Sequence, residues 1–404
     1  MPRVIPIVTD LRAASPALSP SHALLDALPP LSLYVHVPWC VRKCPYCDFN
    51  SHQAGDSIPE GRYLDALAAD LEQALPKIWG RQVHTVFIGG GTPSLLSESA
   101  VDRLLAMLRS YLNLWPDAEI TLEANPGTAE ADRFLAYAAS GVNRISIGIQ
   151  SFNDRHLEAL GRIHNARQAR EAIVMAQKAV SRVNLDLMFA LPGQTMAECE
   201  EDVRAALDFG TEHLSLYQLT LEPNTVFAKY PPDLPDDDVA AQMQDHVETL
   251  VTNAGFDRYE VSAYARPGAR ARHNVNYWEF GDYLGIGPGA HGKLSFPDRI
   301  ERDARVRNPE SWMQAALPRD ASHVTDARIL APEDLPFEFM LNALRLRQGV
   351  PASLYTERTG QPLATLTKAL QRAHDQGLLV SDPTRLQASD RGWRFLNELQ
   401  ALFL

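Results

Sequence analysis

Residues 32–51 read SLYVHVPWCVRKCPYCDFNS. An apolar run, Ser32–Val37, leads straight into three cysteines, Cys40, Cys44 and Cys47, spaced C-x3-C-x2-C. A short, near-continuously apolar run reads as a strand covered on both faces. Three thiolates on one short loop can hold three irons of a [4Fe–4S] cluster and leave the fourth iron open to a small molecule. A structural zinc ion with His52 as its fourth ligand is the alternative that the spacing leaves open. Of the four cysteines only Cys199 stands apart, on a helix, where an inert core thiol is expected. Clustered thiols are metal ligands kept reduced, which points to a cytoplasmic protein without disulfides.

Working outward, strands and helices alternate. Further strands are expected at Val83–Ile88, Ile120–Glu123, Arg144–Gln150, Val183–Phe189 and His213–Leu219. Helices are expected over about 58–75, 98–111, 129–140 and 196–209, the last two stopped by Gly141 and Gly210. Six β–α units in a row imply a parallel sheet with right-handed crossovers. The pattern breaks at PPDLPDDD, residues 231–238, so an open partial (β/α)6 barrel is expected rather than a full eight-unit one. Sites in such folds lie at the strand C-termini. The expected organisation is an N-terminal extension over 1–30, the barrel over 31–230, a barrel-completing region over 231–331, and a C-terminal α+β winged-helix-like domain over 332–404.

Composition limits the function. The 404 residues are 45% hydrophobic and 22% charged, with a net charge of −12. Such a chain repels nucleic acid. The C-terminal module carries eight acidic and eight basic residues over 333–404, so a DNA-reading regulator is disfavoured and a structural or protein-binding role is expected. No apolar run reaches the roughly 18 residues of a membrane span.

The cysteine spacing resembles the signature of the radical S-adenosylmethionine (SAM) superfamily. LYVHVPWC at 33–40, CDFNS at 47–51 and GGGTPS at 89–94 narrow the resemblance to the oxygen-independent coproporphyrinogen III oxidase-like family over about residues 30–400. Two features make the chain most similar to that family's HemW branch of haem chaperones. The oxidases carry a fourth cysteine where Phe49 stands, and the HemW branch carries an HNxxxW-type motif, here His273-Asn274-Val275-Asn276-Tyr277-Trp278.

The resemblance implies a [4Fe–4S] cluster on Cys40, Cys44 and Cys47, SAM and haem as cofactors, and SAM contacts at Tyr34, Tyr46, Gly90, Gly91, Thr92, Glu123, Gln150, Arg162 and Asp186. The glycines let backbone approach a ligand closely. Glu123, Gln150 and Asp186 are polar groups at the rim or inside a parallel sheet, where a buried charge needs a partner. Arg162 fits a carboxylate by paired hydrogen bonds, or is simply a surface arginine. The glycine-rich segment Gly285–Gly292 is expected as a turn lining the cleft. His273 is the candidate haem contact, with Trp278 as an apolar wall, beside the cluster cleft; a hydrogen-bonded turn with a buried tryptophan is the other reading. The implied function is haem chaperone; the alternative is the radical decarboxylation of coproporphyrinogen III. No catalytic residue is assigned. Expected partners are haem and haem-acceptor proteins, membrane-associated ones among them, with room for a reductant protein and none for nucleic acid.

Overall fold

The computed structural model describes residues 25–55, 57–127 and 130–404, without the side chains of 130–132. The expected extension at 1–30 therefore lies mostly outside the described residues. Within it, the Leu25 amide bonds the Pro297 carbonyl at 2.9 Å and Pro29 is buried.

Six parallel strands stand side by side in chain order: β1 (Leu31–Val37), β2 (Gln82–Gly90), β3 (Asn113–Ala124), β4 (Arg144–Gln150), β5 (Arg182–Phe189) and β6 (His213–Gln218). Helices α1 (Glu60–Ile78), α2 (Glu98–Tyr111), α3 (Glu130–Ser140), α4 (Asp154–Ala159), α5 (Ala166–Ala179) and α6 (Met196–Asp208) make the crossovers. Their starts are chemically marked. Ser97 caps α2, and capping boxes at Asn165/Gln168 and Thr195/Glu198 open α5 and α6. Leu104, Leu105 and Leu108 of α2 and Ile173 of α5 are fully buried in one core with Val86, Ile88, Leu122, Ile145 and Leu185 of the sheet. Residues of β2 and β6 face one cavity although three strands separate them, so the sheet curls into a partial barrel.

The sheet does not stop at six strands. Its order is β12-β11-β10-β9-β1-β2-β3-β4-β5-β6-β8-β7, with β7 (Asp257–Arg258), β8 (Ala263–Ala265), β9 (Asp282–Ile286), β10 (His291–Phe296), β11 (Arg299–Arg305) and β12 (Val324–Ile329). Strand β9 runs parallel to β1 on its outer side, a seventh parallel strand. The sequence pattern hides it because β9 opens on Asp282, which is buried against Lys293 at 3.0 Å and Arg81 at 2.8 Å. The expected edge strand over Arg258–Ala263 is instead the antiparallel pair β7 and β8, with a bend between.

The glycine-rich segment is corrected as well: it forms the end of β9 and its turn to β10, and it does not line the cleft. Gly287 packs on the His36 backbone, and Asn50 Nδ2 donates to the Pro288 carbonyl at 2.9 Å.

After α7 (Val226–Lys229) and α8 (Asp237–Asn253), the short helix α9 (Arg272–Trp278) packs under β1, β2 and β9. The outer strands and α10 (Pro309–Ala316) follow, then α11 (Leu335–Ala343), α12 (Ser353–Thr359), α13 (Thr367–Asp375), α14 (Asp390–Arg394) and α15 (Leu396–Ala401). Around 379–388 the chain makes a small antiparallel pairing, Leu379 with Ala388, and Arg385–Leu386 pairs with Val350–Pro351. A second core joins this module to the barrel's lower end, where Phe280, Phe339 and Tyr355 meet edge to face. No helix among the described residues is long and apolar enough to cross a membrane.

Candidate functional site

The cysteine loop is held at both ends. Trp39–Cys40 pairs with His52–Gln53, the His52 amide donates to Pro38 O at 2.7 Å and the Ala54 amide to Cys40 O at 2.8 Å. A strap over 219–234, which includes α7, closes over it. Phe227 donates its amide to Pro45 O at 3.0 Å and its ring meets Tyr46, above Leu160, Leu191 and Leu219. Cys40, Cys44 and Cys47 are half-buried and all face one cavity of about 510 Å³ at the C-terminal ends of β2–β6. His52 does not line that cavity; its Nε2 lies 3.3 Å from Asn50 Oδ1. Three thiols on one cavity wall suit a cluster with an open corner better than a closed four-ligand zinc site.

Tyr46, Gly90, Gly91, Thr92, Glu123, Gln150, Arg162 and Asp186 line the same cavity. Arg162 is not a surface arginine. Its Nη2 donates to Asn125 Oδ1 at 2.6 Å and to Gly148 O at 2.7 Å, its Nη1 lies 3.7 Å from Cys44 Sγ, and its buried Nε has no partner. Burial opposes its charge, but Tyr46 and Cys44 beside it hold the guanidinium above its ordinary value. The unpartnered Nε is what a carboxylate-bearing ligand would satisfy.

Glu123 accepts from the Gly90 amide at 3.0 Å, and burial, with the Asp186 carboxylate second, pushes it up to about 8. Burial also raises Asp186, which accepts from Ser146 Oγ at 2.9 Å and Asn184 Nδ2 at 2.8 Å. Neither carboxylate has a direct ion-pair partner among the described residues, although the buried Arg144 partly offsets both, and such a pair suits an ammonium or sulfonium group. Gln150 takes φ +66° at the end of β4, a conformation costing a non-glycine residue about 1 kcal/mol or more. Asp202 of α6 holds the turn beyond it, accepting from Ser151 Oγ at 2.7 Å and the Phe152 amide at 2.6 Å. Gly91 is obligatory, since a Cβ there would lie 2.5 Å from the Trp39 carbonyl oxygen. The donor set therefore fits a cluster and SAM.

Three expectations are not met by the placement. Tyr34 does not line the cavity; it lies inside the barrel, donating its hydroxyl to His36 Nδ1 at 2.8 Å, while His36 Nε2 donates to Asn50 O at 2.9 Å. His273 and Trp278 do not border the cleft either. They sit on α9 at the opposite, closed end of the barrel, near the strand starts. His273 is buried, with Nδ1 donating to Glu119 Oε1 at 2.7 Å and its ring 4.4 Å from Phe87. Burial holds its imidazole below the ordinary value in spite of Glu119. Glu119 also pairs with Arg182 at 2.8 Å, and His213, Asn184 and Tyr259 complete this polar floor. Trp278 packs in the second core beneath the Arg345 guanidinium at 4.3 Å. A histidine that must satisfy a buried carboxylate is drawn into the floor rather than left at a mouth.

Sequence reasoning missed Asn125, whose Nδ2 donates to Thr92 Oγ1 at 2.8 Å while its Oδ1 holds Arg162. It also missed Gly148 and Tyr217. The Asn-Pro after β3 and the glycine inside β4 were the available signals, the latter marking close approach. Cys199 is buried in the barrel core, where burial pushes its thiol up to about 12.

Comparison with known proteins follows the same lines. The sequence pattern of the Radical SAM superfamily matches residues 34–206, and that of the HemN C-terminal domain matches 330–395. The chain is 48% identical over 379 residues to the protein named Heme chaperone HemW of Escherichia coli, covering 93% of this chain and 99% of that one. It is 38% identical over 372 residues to its Mycobacterium tuberculosis namesake, covering 89% and 93%. It is 38% identical over 389 residues to the mitochondrial radical S-adenosyl methionine domain-containing protein 1 of Bos taurus, covering 91% and 86%. In fold, it matches coproporphyrinogen III oxidase (HemN) from Escherichia coli with a TM-score of 0.79 at 23% identity, over 93% of this chain and 90% of that one.

Proposed function

The chain belongs to the HemW family of the radical SAM superfamily, and from that premise we propose that it is a cytoplasmic haem chaperone that binds haem and hands it to acceptor proteins. The observation that carries this reading is the match, over nearly the whole of both chains, to relatives named heme chaperones. The three-cysteine loop with Phe49 after it supports the same reading against coproporphyrinogen III decarboxylation.

The family implies a [4Fe–4S] cluster and SAM. Cys40, Cys44 and Cys47 would hold the cluster. Arg162, positioned by Asn125, would take the SAM carboxylate. Glu123 and Asp186 would face its cationic groups, and Gly90–Thr92 would bring backbone against it. When bound, the pair supplies one-electron chemistry on a sulfonium. The chain's own contribution is to hold the ligand's charges at fixed points, with Tyr46 and Phe227 shielding the cysteine loop from one side. The polar floor around Glu119 closes the other end of the barrel.

The test is transfer. Anaerobically reconstituted protein loaded with haem is mixed with an apo-haemoprotein, and transfer is followed by absorbance. Transfer faster than from free haem in the same buffer supports the reading. Haem uptake absent, or never released to any acceptor, would remove it.

A further inference from the structure

Three large apolar side chains stand exposed at the mouth of the cavity. Phe49, Ile163 and Val41 are 59%, 48% and 42% exposed, and all three line the opening beside the cysteine loop. Scattered exposed apolar residues need no explanation, but three gathered at one cavity opening mark a binding surface. The backbone at Phe49 is also held in place. Its carbonyl accepts from the Ser51 amide at 2.7 Å and from Lys43 Nζ at 3.1 Å, so the backbone that carries the ring is already ordered. Arg42 stands on the same rim, exposed, and has no hydrogen-bond or ion-pair partner among the described residues. Asp48 and Glu222 are on the rim too, so an anionic ligand has one favourable orientation, with its carboxylates at Arg42.

We propose that this rim is the docking site for haem, one macrocycle face lying on Phe49, Ile163 and Val41 and a propionate on Arg42. The proposal rests on the haem-chaperone reading above. A flat apolar macrocycle with two carboxylates matches three apolar side chains with one free guanidinium. His273, at the opposite end of the barrel, is buried and spends its Nδ1 on Glu119. Docking over the mouth leaves the second face of the macrocycle open, which suits a carrier that must pass its cargo to another protein.

The experiment is a haem titration, followed by absorbance, of cluster-reconstituted protein under anaerobic conditions. The variants are Phe49→Ser/Ile163→Ser, Arg42→Glu and, as a control at the far end of α1, Trp79→Ser, a residue that is 82% exposed. The double variant should bind at least about tenfold more weakly, as loss of two apolar anchors requires. Arg42→Glu should bind about three- to tenfold more weakly, with the difference shrinking at high salt. Trp79→Ser should match the wild type. Cluster absorbance checks integrity, and Arg42→Glu alters a side chain without partners, so it reads the proposal even where the double variant loses its cluster. Wild-type affinity in Arg42→Glu and in a cluster-bearing double variant would overturn the rim assignment, as would an equal loss in Trp79→Ser. If the wild type itself takes up no haem, the chaperone reading falls first and this proposal falls with it.

Discussion

Replacing Glu123 by Gln tests the electrostatics of the cavity more sharply than any other single change. Its carboxylate accepts one backbone hydrogen bond, from Gly90 at 3.0 Å, and feels the Asp186 carboxylate, with Arg144 partly offsetting. Burial first and Asp186 second raise it from 4.5 to about 8. The folded chain therefore holds a proton there that the unfolded chain releases. The stabilising effect of that proton is complete below pH 4.5 and is lost as the pH rises through about 8. At 1.36 kcal/mol per pK unit the loss across that window amounts to about 5 kcal/mol, an upper limit because Glu123 lines an open cavity. About 3 kcal/mol of it is already gone at pH 7. Glu123→Gln cannot ionise, so its margin over the wild type should grow steadily from pH 5 to pH 8. Asp186 is coupled to Glu123, so relief of their repulsion in the Gln variant is part of the same difference.

The assay is urea unfolding of SAM-free protein at pH 5, 6, 7 and 8. SAM affinity should show the opposite preference. A cationic ligand beside Glu123 favours the carboxylate, so wild-type affinity should rise with pH while the Gln variant binds weakly at every pH. Parallel stability profiles of the two proteins would refute the reasoning.

Further outcomes follow from other contacts. Replacing Cys40, Cys44 or Cys47 by Ala should abolish the visible absorption of the reconstituted cluster, whereas Cys199→Ser should keep it; iron analysis after anaerobic reconstitution gives the count. Gly91→Ala drives a Cβ onto the Trp39 carbonyl oxygen, which cannot yield, so calorimetric SAM binding should be lost together with about 1–3 kcal/mol of stability. His273→Ala removes a hydrogen bond to the buried Glu119, which keeps its pairing with Arg182, and should cost about 2 kcal/mol in urea unfolding while haem affinity stays within about twofold of the wild type.

Much of the barrel is legible in the chain because its six strands, of six to twelve residues, carry apolar runs and are separated by helices, several of them capped. The limits are equally physical. Strand β9 opens on a buried aspartate whose partners are Arg81, far away in sequence, and Lys293 on the following strand, so no apolar run marks its start. The cysteine loop announces itself, since three thiols at short spacing have few other uses. Most of the polar residues singled out around it, from Tyr46 to Asp186, do converge on one cavity, because strand ends in a parallel sheet converge there.

Tyr34 and His273 miss it for a reason that alternation alone does not give: each points inward along a strand or helix but at the wrong depth. A histidine next to aromatics in sequence looks like a ligand, yet its placement was decided by Glu119, more than 150 residues away. Asn125, which positions Arg162, was invisible because its importance lies in two partners at 2.6 and 2.8 Å and not in its neighbours.

The most direct test sets the two chemistries of this scaffold against each other in one preparation. Anaerobically reconstituted protein with SAM and a reductant is divided between haem and coproporphyrinogen III; bound haem is quantified by absorbance and porphyrin products by chromatography. The expected result is near-stoichiometric haem retention with no decarboxylated product. Multiple-turnover decarboxylation without retained haem would contradict the assignment and make the protein an oxidase.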